Sequence, residues 1–167
     1  MKRLLLFFVL LLSLLASPAW AANWHPHTFV ELQAQSNSAS PGDTLWLDGS
    51  TSYLGTLTAK AGNTLSPVVY IGADLANPGS TTLTGLTPAS HTRFYGIKIT
   101  ISLNLGSRAR VVIDHCDLVG SLDYQEADSC AVRSTLVRGT NLAVNYNGGS
   151  AGAIAAADTL EWCTFNG

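Results

Sequence analysis

The chain has 167 residues, with 9 Lys and Arg against 11 Asp and Glu, and only 12% of its residues are charged. That length suits one domain. A net charge of −2 excludes the broad basic surface that nucleic acid requires. Abundant Ser, Thr, Asn and Gly indicate a β-rich extracellular protein, not a helical or disordered one.

Lys2 and Arg3 precede an apolar run from Leu4 to Leu15 that only Ser13 interrupts, and small residues follow through Ala22. This is the charged, apolar and small-residue order of a secretory signal peptide. Ala19 and Ala21 satisfy the A-x-A rule, so cleavage is expected after Ala21 or Ala22. The run is too short for the ~30 Å hydrocarbon core. Export to the periplasm or medium is expected, with no stable membrane insertion once the signal is removed. Loss of Lys2 and Arg3 leaves 7 basic and 11 acidic residues, a net of −4. The expected organisation is a signal at 1–22, an N-terminal cap at 23–40 and repeats over 41–167.

Thr28 followed by Glu31 forms a capping box and predicts a short helix through about Gln35, with Phe29 and Leu32 on one face. Pro41-Gly42-Asp43 makes a turn, and Thr44 to Leu47 is the first strand. Further strands are expected at 56–59, 68–71, 81–84, 94–101, 110–119, 131–137, 142–146 and 159–165, all short and rich in β-branched residues.

An internal repeat organises these strands. Phe94 to Ile99, Ile113 to Leu118 and Leu160 to Phe165 align, and Ala131 to Leu136 joins them with Ser134 in the slot of Cys116. The expected inward pairs are 45/47, 69/71, 97/99, 116/118, 134/136 and 163/165. A second series is Leu83, Leu103, Leu122 and Leu142. Such periods predict an all-β, right-handed parallel β-helix of about six rungs with a short capping helix. An antiparallel sandwich also has short strands but does not explain the common register. The longest loop is expected at 145–152. The last strand ends without a closing cap, so a longer natural chain is expected.

Phe29 to Ala34 followed by Pro41-Gly42-Asp43-Thr44-Leu45-Trp46-Leu47 resembles the opening of pectate-lyase-like β-helix proteins. Ser66 to Gly72 resembles the second rung of polysaccharide lyases that act on alginate or chondroitin. Val111 to Leu118 is similar to the Trp-Ile-Asp-His segment of pectate lyases. Val112 stands in place of the tryptophan, and no Asp-Gly-Leu-Ile-Asp stretch follows. Polygalacturonase signatures are absent. The resemblance implies a carbohydrate-active protein in a superfamily of lyases, hydrolases, esterases and epimerases.

Uronate β-elimination needs a group that neutralises the carboxylate, a base for the C5 proton and an acid for the leaving oxygen. The outward charged candidates are Lys98, Asp114, Asp117 and Arg133. Arg133 and Arg138 are the candidate catalytic residues, able to hold a substrate carboxylate or to neutralise nearby acids. Lys98 and Asp114 are the candidate substrate-binding residues. Asp117, Asp123 and Asp128, with Glu126, form either a Ca²⁺ site or a solvated acidic turn. His115 lies near a bend or faces outward. Cys116 and Cys163 share a slot and are expected inside as small apolar residues. Trp46, Tyr53, Tyr70 and Tyr95 are candidates to stack on sugar rings. The expected function is to act on or bind an acidic polysaccharide, with β-elimination favoured over hydrolysis. A non-catalytic surface or adhesin-type protein is the alternative.

Overall fold

The structure is a computed structural model that describes residues 21–49, 51–123, 129–138, 144–145, 159–161 and 163–166. The apolar leader, Asp128, Leu142 and most of the 145–152 loop lie outside the described residues.

One α-helix, one short 3-10 turn (Pro78–Ser80) and sixteen short strands are present among the described residues. Sheet A holds β1 (Asn23–Trp24), β2 (Thr44–Leu47), β4 (Val68–Gly72), β6 (Thr92–Tyr95), β9 (Val112–Asp114), β12 (Ala131–Arg133) and β15 (Thr159–Glu161). Sheet B holds β3 (Ser52–Thr58), β5 (Thr82–Thr87), β7 (Lys98–Ile99), β10 (Asp117–Val119), β13 (Leu136–Arg138) and β16 (Thr164–Asn166). Sheet C holds β8 (Leu103–Asn104), β11 (Leu122–Asp123) and β14 (Val144–Asn145). Every strand pair is parallel, for example β6 with β9 and β10 with β13. The chain visits A, then B, then C from β6 onward, and each pass pairs with the one before. A parallel ladder of this kind satisfies backbone groups between successive passes, not between neighbours in sequence.

The core is a set of inward columns. Leu45, Tyr70, Phe94, Ile113 and Val132 are matched across sheet A, and all are fully buried. Tyr70 and Phe94 stack with centroids 4.9 Å apart and planes 12° apart. Tyr53, Leu83, Ile99, Leu118 and Val137 form the corresponding column of sheet B. Leu103 and Leu122 pair in sheet C.

Two left-handed corners set the register. Gly96, His115 and Ser134 all have positive φ where the chain leaves sheet A for sheet B. His91, Arg110 and Ser129 have positive φ just before sheet A begins. Cross-rung hydrogen bonds confirm the period: Cys116 N–H to Thr135 Oγ1 and Ser121 N–H to Ser102 Oγ each span 19 residues. Gly72, on the rung before Gly96, has no room for a side chain. A Cβ there would fall 2.0 Å from the Gly96 carbonyl oxygen.

These corners correct several expectations. Strands expected at 94–101, 110–119 and 131–137 are each split by a left-handed residue. Thr135, not Ser134, occupies the slot of Cys116, so the inward pair is Thr135 and Val137. In β4 the buried residues are Val68, Tyr70 and Gly72, the opposite parity to the expected 69/71 pair. Both faces of that strand are apolar in sequence, which hides its parity. Leu83 belongs to sheet B, apart from Leu103 and Leu122. Tyr53 and Tyr70 are fully buried and are not available to sugars. Their hydroxyls are satisfied internally: Tyr53 donates to Pro26 O at 2.7 Å, and Tyr70 accepts from Lys60 N at 2.9 Å.

The helix α1 (Phe29–Ser38) begins as expected. Thr28 Oγ1 accepts from Glu31 N at 3.2 Å, and the Glu31 carboxylate accepts from His27 N at 2.8 Å. It runs past Gln35 because tertiary contacts hold the serines. Ser36 is buried, donates to Thr58 O at 3.1 Å and lies 2.8 Å from Tyr70 Oη. Gln33 also donates to Thr58 O and accepts from Thr58 N, at 3.1 and 2.9 Å. Its amide thus stands in for a neighbouring strand at the open edge of β3, the end strand of sheet B.

Asp43 locks the first turn. Its carboxylate accepts from Ala22 N at 2.7 Å, Ser40 N at 2.9 Å and Trp24 Nε1 at 3.2 Å. Burial opposes ionisation, but the three donors outweigh it and hold the group below the usual carboxylate range. A depressed folded-state value means the stabilisation is present above the unfolded value, near 3.8, and is lost as pH falls through the folded one. Asp43→Asn should therefore cost about 1–3 kcal/mol at neutral pH, the scale of a buried partner left unpaired. Equilibrium denaturation at pH 7 and pH 2 checks this, with the gap between the two proteins shrinking in acid.

Cys116 is buried and makes no disulfide. Burial is the main cause that pushes its thiol up to about 12. Cys163 packs against the same core, with its Sγ 3.5 Å from Val132 O. Thr135 lies in the intervening slot. Cys116 should resist alkylation in the native state at pH 8 and react on denaturation, because the thiolate is the nucleophile. Mass spectrometry of iodoacetamide-treated native and denatured protein reads this directly.

Candidate functional site

The outward slots of sheet A carry the polar chemistry. On β6, Arg93 and Tyr95 alternate with buried Thr92 and Phe94. Register places Trp46, Ile71, Tyr95, Asp114 and Arg133 in one row across successive strands. Arg93 lies beside Val69 and Val112 in the second outward row.

A cleft of about 190 Å³ opens at this face, where the chain turns into sheet A. One wall is the loop with Asn63, Thr64 and Pro67. The other walls are His91 and Arg93 on one rung, Arg110 and Val112 on the next, and Ser129 on a third. The loop wall is pinned locally: Asn63 Oδ1 accepts from Leu65 N at 3.0 Å and from Ser66 N at 2.8 Å. Gly62 lets it approach the rungs, since a Cβ there would lie 2.6 Å from both His91 O and Val68 N. His91 is held left-handed, with its N–H donating to Ala109 O at 2.8 Å and its carbonyl accepting from Val68 N at 3.2 Å. The same left-handed corner recurs at Arg110 and Ser129, so it stacks the three residues at one edge of the sheet.

Two guanidiniums and an imidazole thus share a small cleft, and none of its lining side chains among the described residues is a carboxylate. Neither Arg93 nor Arg110 makes a side-chain ion pair or hydrogen bond among the described residues. A planar, bidentate donor without an internal partner suits a carboxylate, sulfate or phosphate from outside.

The residues expected from sequence are divided between faces. Asp114 and Arg133 are neighbours on sheet A. The Asp114 carboxylate lies 2.8 Å from His115 Nδ1, and exposed His115 sits at the corner. Lys98, Asp117 and Arg138 lie on sheet B, around that corner. Arg138 grips buried Asp117 with two contacts, Nε to Oδ1 at 2.9 Å and Nη2 to Oδ2. Asp117 raises the Arg138 value further above its ordinary level, by hydrogen bonding and by charge. Asp123 is on sheet C and accepts from Asn104 Nδ2 at 3.1 Å.

Among the described residues, Asp117 and Asp123 are not brought together at one site, and Glu126 lies outside those residues. Asp117 gives both oxygens to Arg138, Asp123 stands on a different sheet, and Asp128 lies outside the described residues. Among the described residues no group of three or more His, Cys, Asp or Glu is placed to hold a metal. Arg138→Met should lower the melting temperature by leaving Asp117 buried without its cation. Adding Asp117→Asn should restore part of the loss, and thermal unfolding of the three variants checks the coupling.

Arg93, Arg110 and His91 escape a sequence reading because they stand just ahead of the aligned segments that begin at Phe94 and Ile113, from which the outward candidates are drawn. One signal was present: His91 and Arg110 occupy the same slot of successive rungs, as Ser129 does on the third.

Comparison with solved structures gives one relevant likeness. The chain resembles the crystal structure of an alginate lyase from Paenibacillus sp. str. FPU-7, with a TM-score of 0.57 and 16% identity over 87% of this chain. It spans 58% of the length of that protein. At this identity the likeness shows the fold: mostly β, with parallel sheets. No family model and no curated protein matches. Among the described residues no helix is long and apolar enough to cross a membrane.

Proposed function

We propose that the protein is an exported right-handed parallel β-helix that binds an acidic polysaccharide at the sheet A cleft and cleaves it by β-elimination. The right hand follows the near-universal preference of parallel crossovers. Export rests on the leader pattern at residues 1–22. The observation that carries the functional reading is the pair of unpartnered guanidiniums, Arg93 and Arg110, beside His91 in one cleft.

In this reading the two arginines take a uronate carboxylate. Neutralising that group stabilises the carbanion character that develops at C5. His91, in the same cleft, is assigned as the proton acceptor from C5. The C4–O bond then breaks, and the leaving oxygen takes a proton from solvent or a neighbouring acid. The cleft is small against typical ligand pockets of roughly 300–1,000 Å³. It suits one sugar residue, with the rest of the chain running along the exposed face.

The test is absorbance of unsaturated product on alginate, pectate and chondroitin, with polysaccharide binding measured in parallel. His91→Ala should abolish elimination while binding persists. Binding by the wild-type protein without elimination on any acidic polysaccharide favours the non-catalytic surface-protein reading. Absence of both overturns the proposal.

A further inference from the structure

The Asp43 carboxylate is placed where a new chain terminus would arrive. Ala22 is held on both sides: its N–H donates to Asp43 Oδ1 at 2.7 Å, and its carbonyl accepts from Thr44 N at 2.9 Å. The following residues, Asn23 and Trp24, pair in parallel with Thr44 and Leu45 as the first rung of sheet A. Trp24 reaches the second oxygen of the same carboxylate. Ala21 is exposed and lies immediately outside this arrangement.

The sequence independently marks the same bond. Ala19-Trp20-Ala21 satisfies the small-x-small rule of signal peptidases, which cut after the second small residue. Hydrolysis there adds one water across the Ala21–Ala22 peptide. Ala21 keeps the new carboxylate, and Ala22 keeps the new amine, which is protonated at neutral pH.

We propose that export processing occurs between Ala21 and Ala22 and that the freed Ala22 ammonium forms an ion pair with Asp43, which fastens the first rung. Before cleavage the contact is an amide N–H to a carboxylate. Afterwards the same nitrogen carries a full positive charge and extra donors, and charge-assisted hydrogen bonds with ions on both sides are the stronger kind. Asp43 is buried and has no cationic side chain among its hydrogen-bond partners, so the ammonium supplies the countercharge. Processing thereby strengthens the start of a stacked structure, where an end rung has only one neighbour.

The test has two parts. The full chain is exported from a secretion-competent host, and the mature N-terminus is read by intact mass and terminal sequencing. Ala22 is expected as the first residue. Separately, residues 22–167 are released from a ubiquitin fusion to begin at Ala22, and compared with the same chain carrying Gly-Ser ahead of Ala22. The extended form should unfold several degrees lower. That difference should vanish when both forms carry Asp43→Asn. A mature terminus at any other residue, equal melting of the two forms, or a difference that survives Asp43→Asn each overturns the proposal. The Gly-Ser extension retains Asp43, so a folding failure of the Asn variant still leaves a readable comparison.

Discussion

Replacing Arg93 and Arg110 together with alanine should weaken binding of an acidic polysaccharide by about 10²–10⁴-fold. A hydrogen bond to a charged group contributes about 1.5–3 kcal/mol, and each 1.4 kcal/mol is about tenfold in affinity. Two guanidiniums in one cleft can act on the same carboxylate, so the double variant should lose less than the sum of the singles. The salt dependence of binding should flatten as well, because the lost contacts are those most sensitive to screening. Both side chains are exposed and have no side-chain partner among the described residues, so the melting temperature should hardly move. Lys98→Ala is the control, since Lys98 lies around the corner on sheet B. Affinity electrophoresis through alginate-containing gels, or calorimetry at two salt concentrations, reads the wild type, both single variants, the double variant and the control. Unchanged binding in the double variant, with loss in Lys98→Ala, would move the site to sheet B.

The repeat was legible in sequence where inward and outward residues differ in kind. Phe94 to Ile99 and Ile113 to Leu118 align as the period predicts, and register pairs Phe94 with Ile113 and Ile99 with Leu118. It was illegible where both parities are apolar. Val68 to Ile71 offers four apolar residues in a row, and Ala131 with Val132 offers two, so a one-residue slip changes nothing in hydropathy. The corners were hidden for another reason. Of the three left-handed residues between sheets A and B, only Gly96 announces itself; His115 and Ser134 repeat its conformation without its composition. The helix extension was likewise invisible, because Ser36 is held by Thr58 and Tyr70, which are remote in sequence.

The same stacking separates the candidate site residues. Aspartates and arginines close in sequence, Asp114 to Arg138, invite a single cluster. A 19-residue rung distributes them over three faces: Asp114 and Arg133 on sheet A, Asp117 and Arg138 on sheet B, Asp123 on sheet C. Conversely, His91, Arg93 and Arg110 converge although they sit on successive rungs. In a stacked fold, proximity follows the slot number within the repeat, not the distance along the chain.

Phe94→Ala should be the most damaging single core substitution, at about 3–5 kcal/mol. Phe94 is fully buried, stacks on Tyr70 at 4.9 Å and sits between the rungs of Tyr70 and Ile113. Ring stacking accounts for only about 0.5–1.5 kcal/mol of that cost; the larger part is the lost transfer energy and the cavity. Phe94→Leu separates the two, since it loses the stack but keeps most of the volume, and should cost about 1.5 kcal/mol or less. Tyr70→Phe tests a third term. It keeps the ring but strips the hydroxyl that accepts from Lys60 N and meets Ser36, at about 1–3 kcal/mol for the partners left buried. Because each rung contacts only its neighbours, a cavity at Phe94 should also uncouple the cap side from later rungs. Urea unfolding followed by tryptophan fluorescence, which includes Trp24 and Trp46 on the cap side, and by far-ultraviolet dichroism should coincide for wild type and separate for Phe94→Ala. Coincident transitions with a loss near that of Phe94→Leu would show that the column collapses around the gap, and that the first three rungs are packed less tightly than the Tyr70–Phe94 stack indicates.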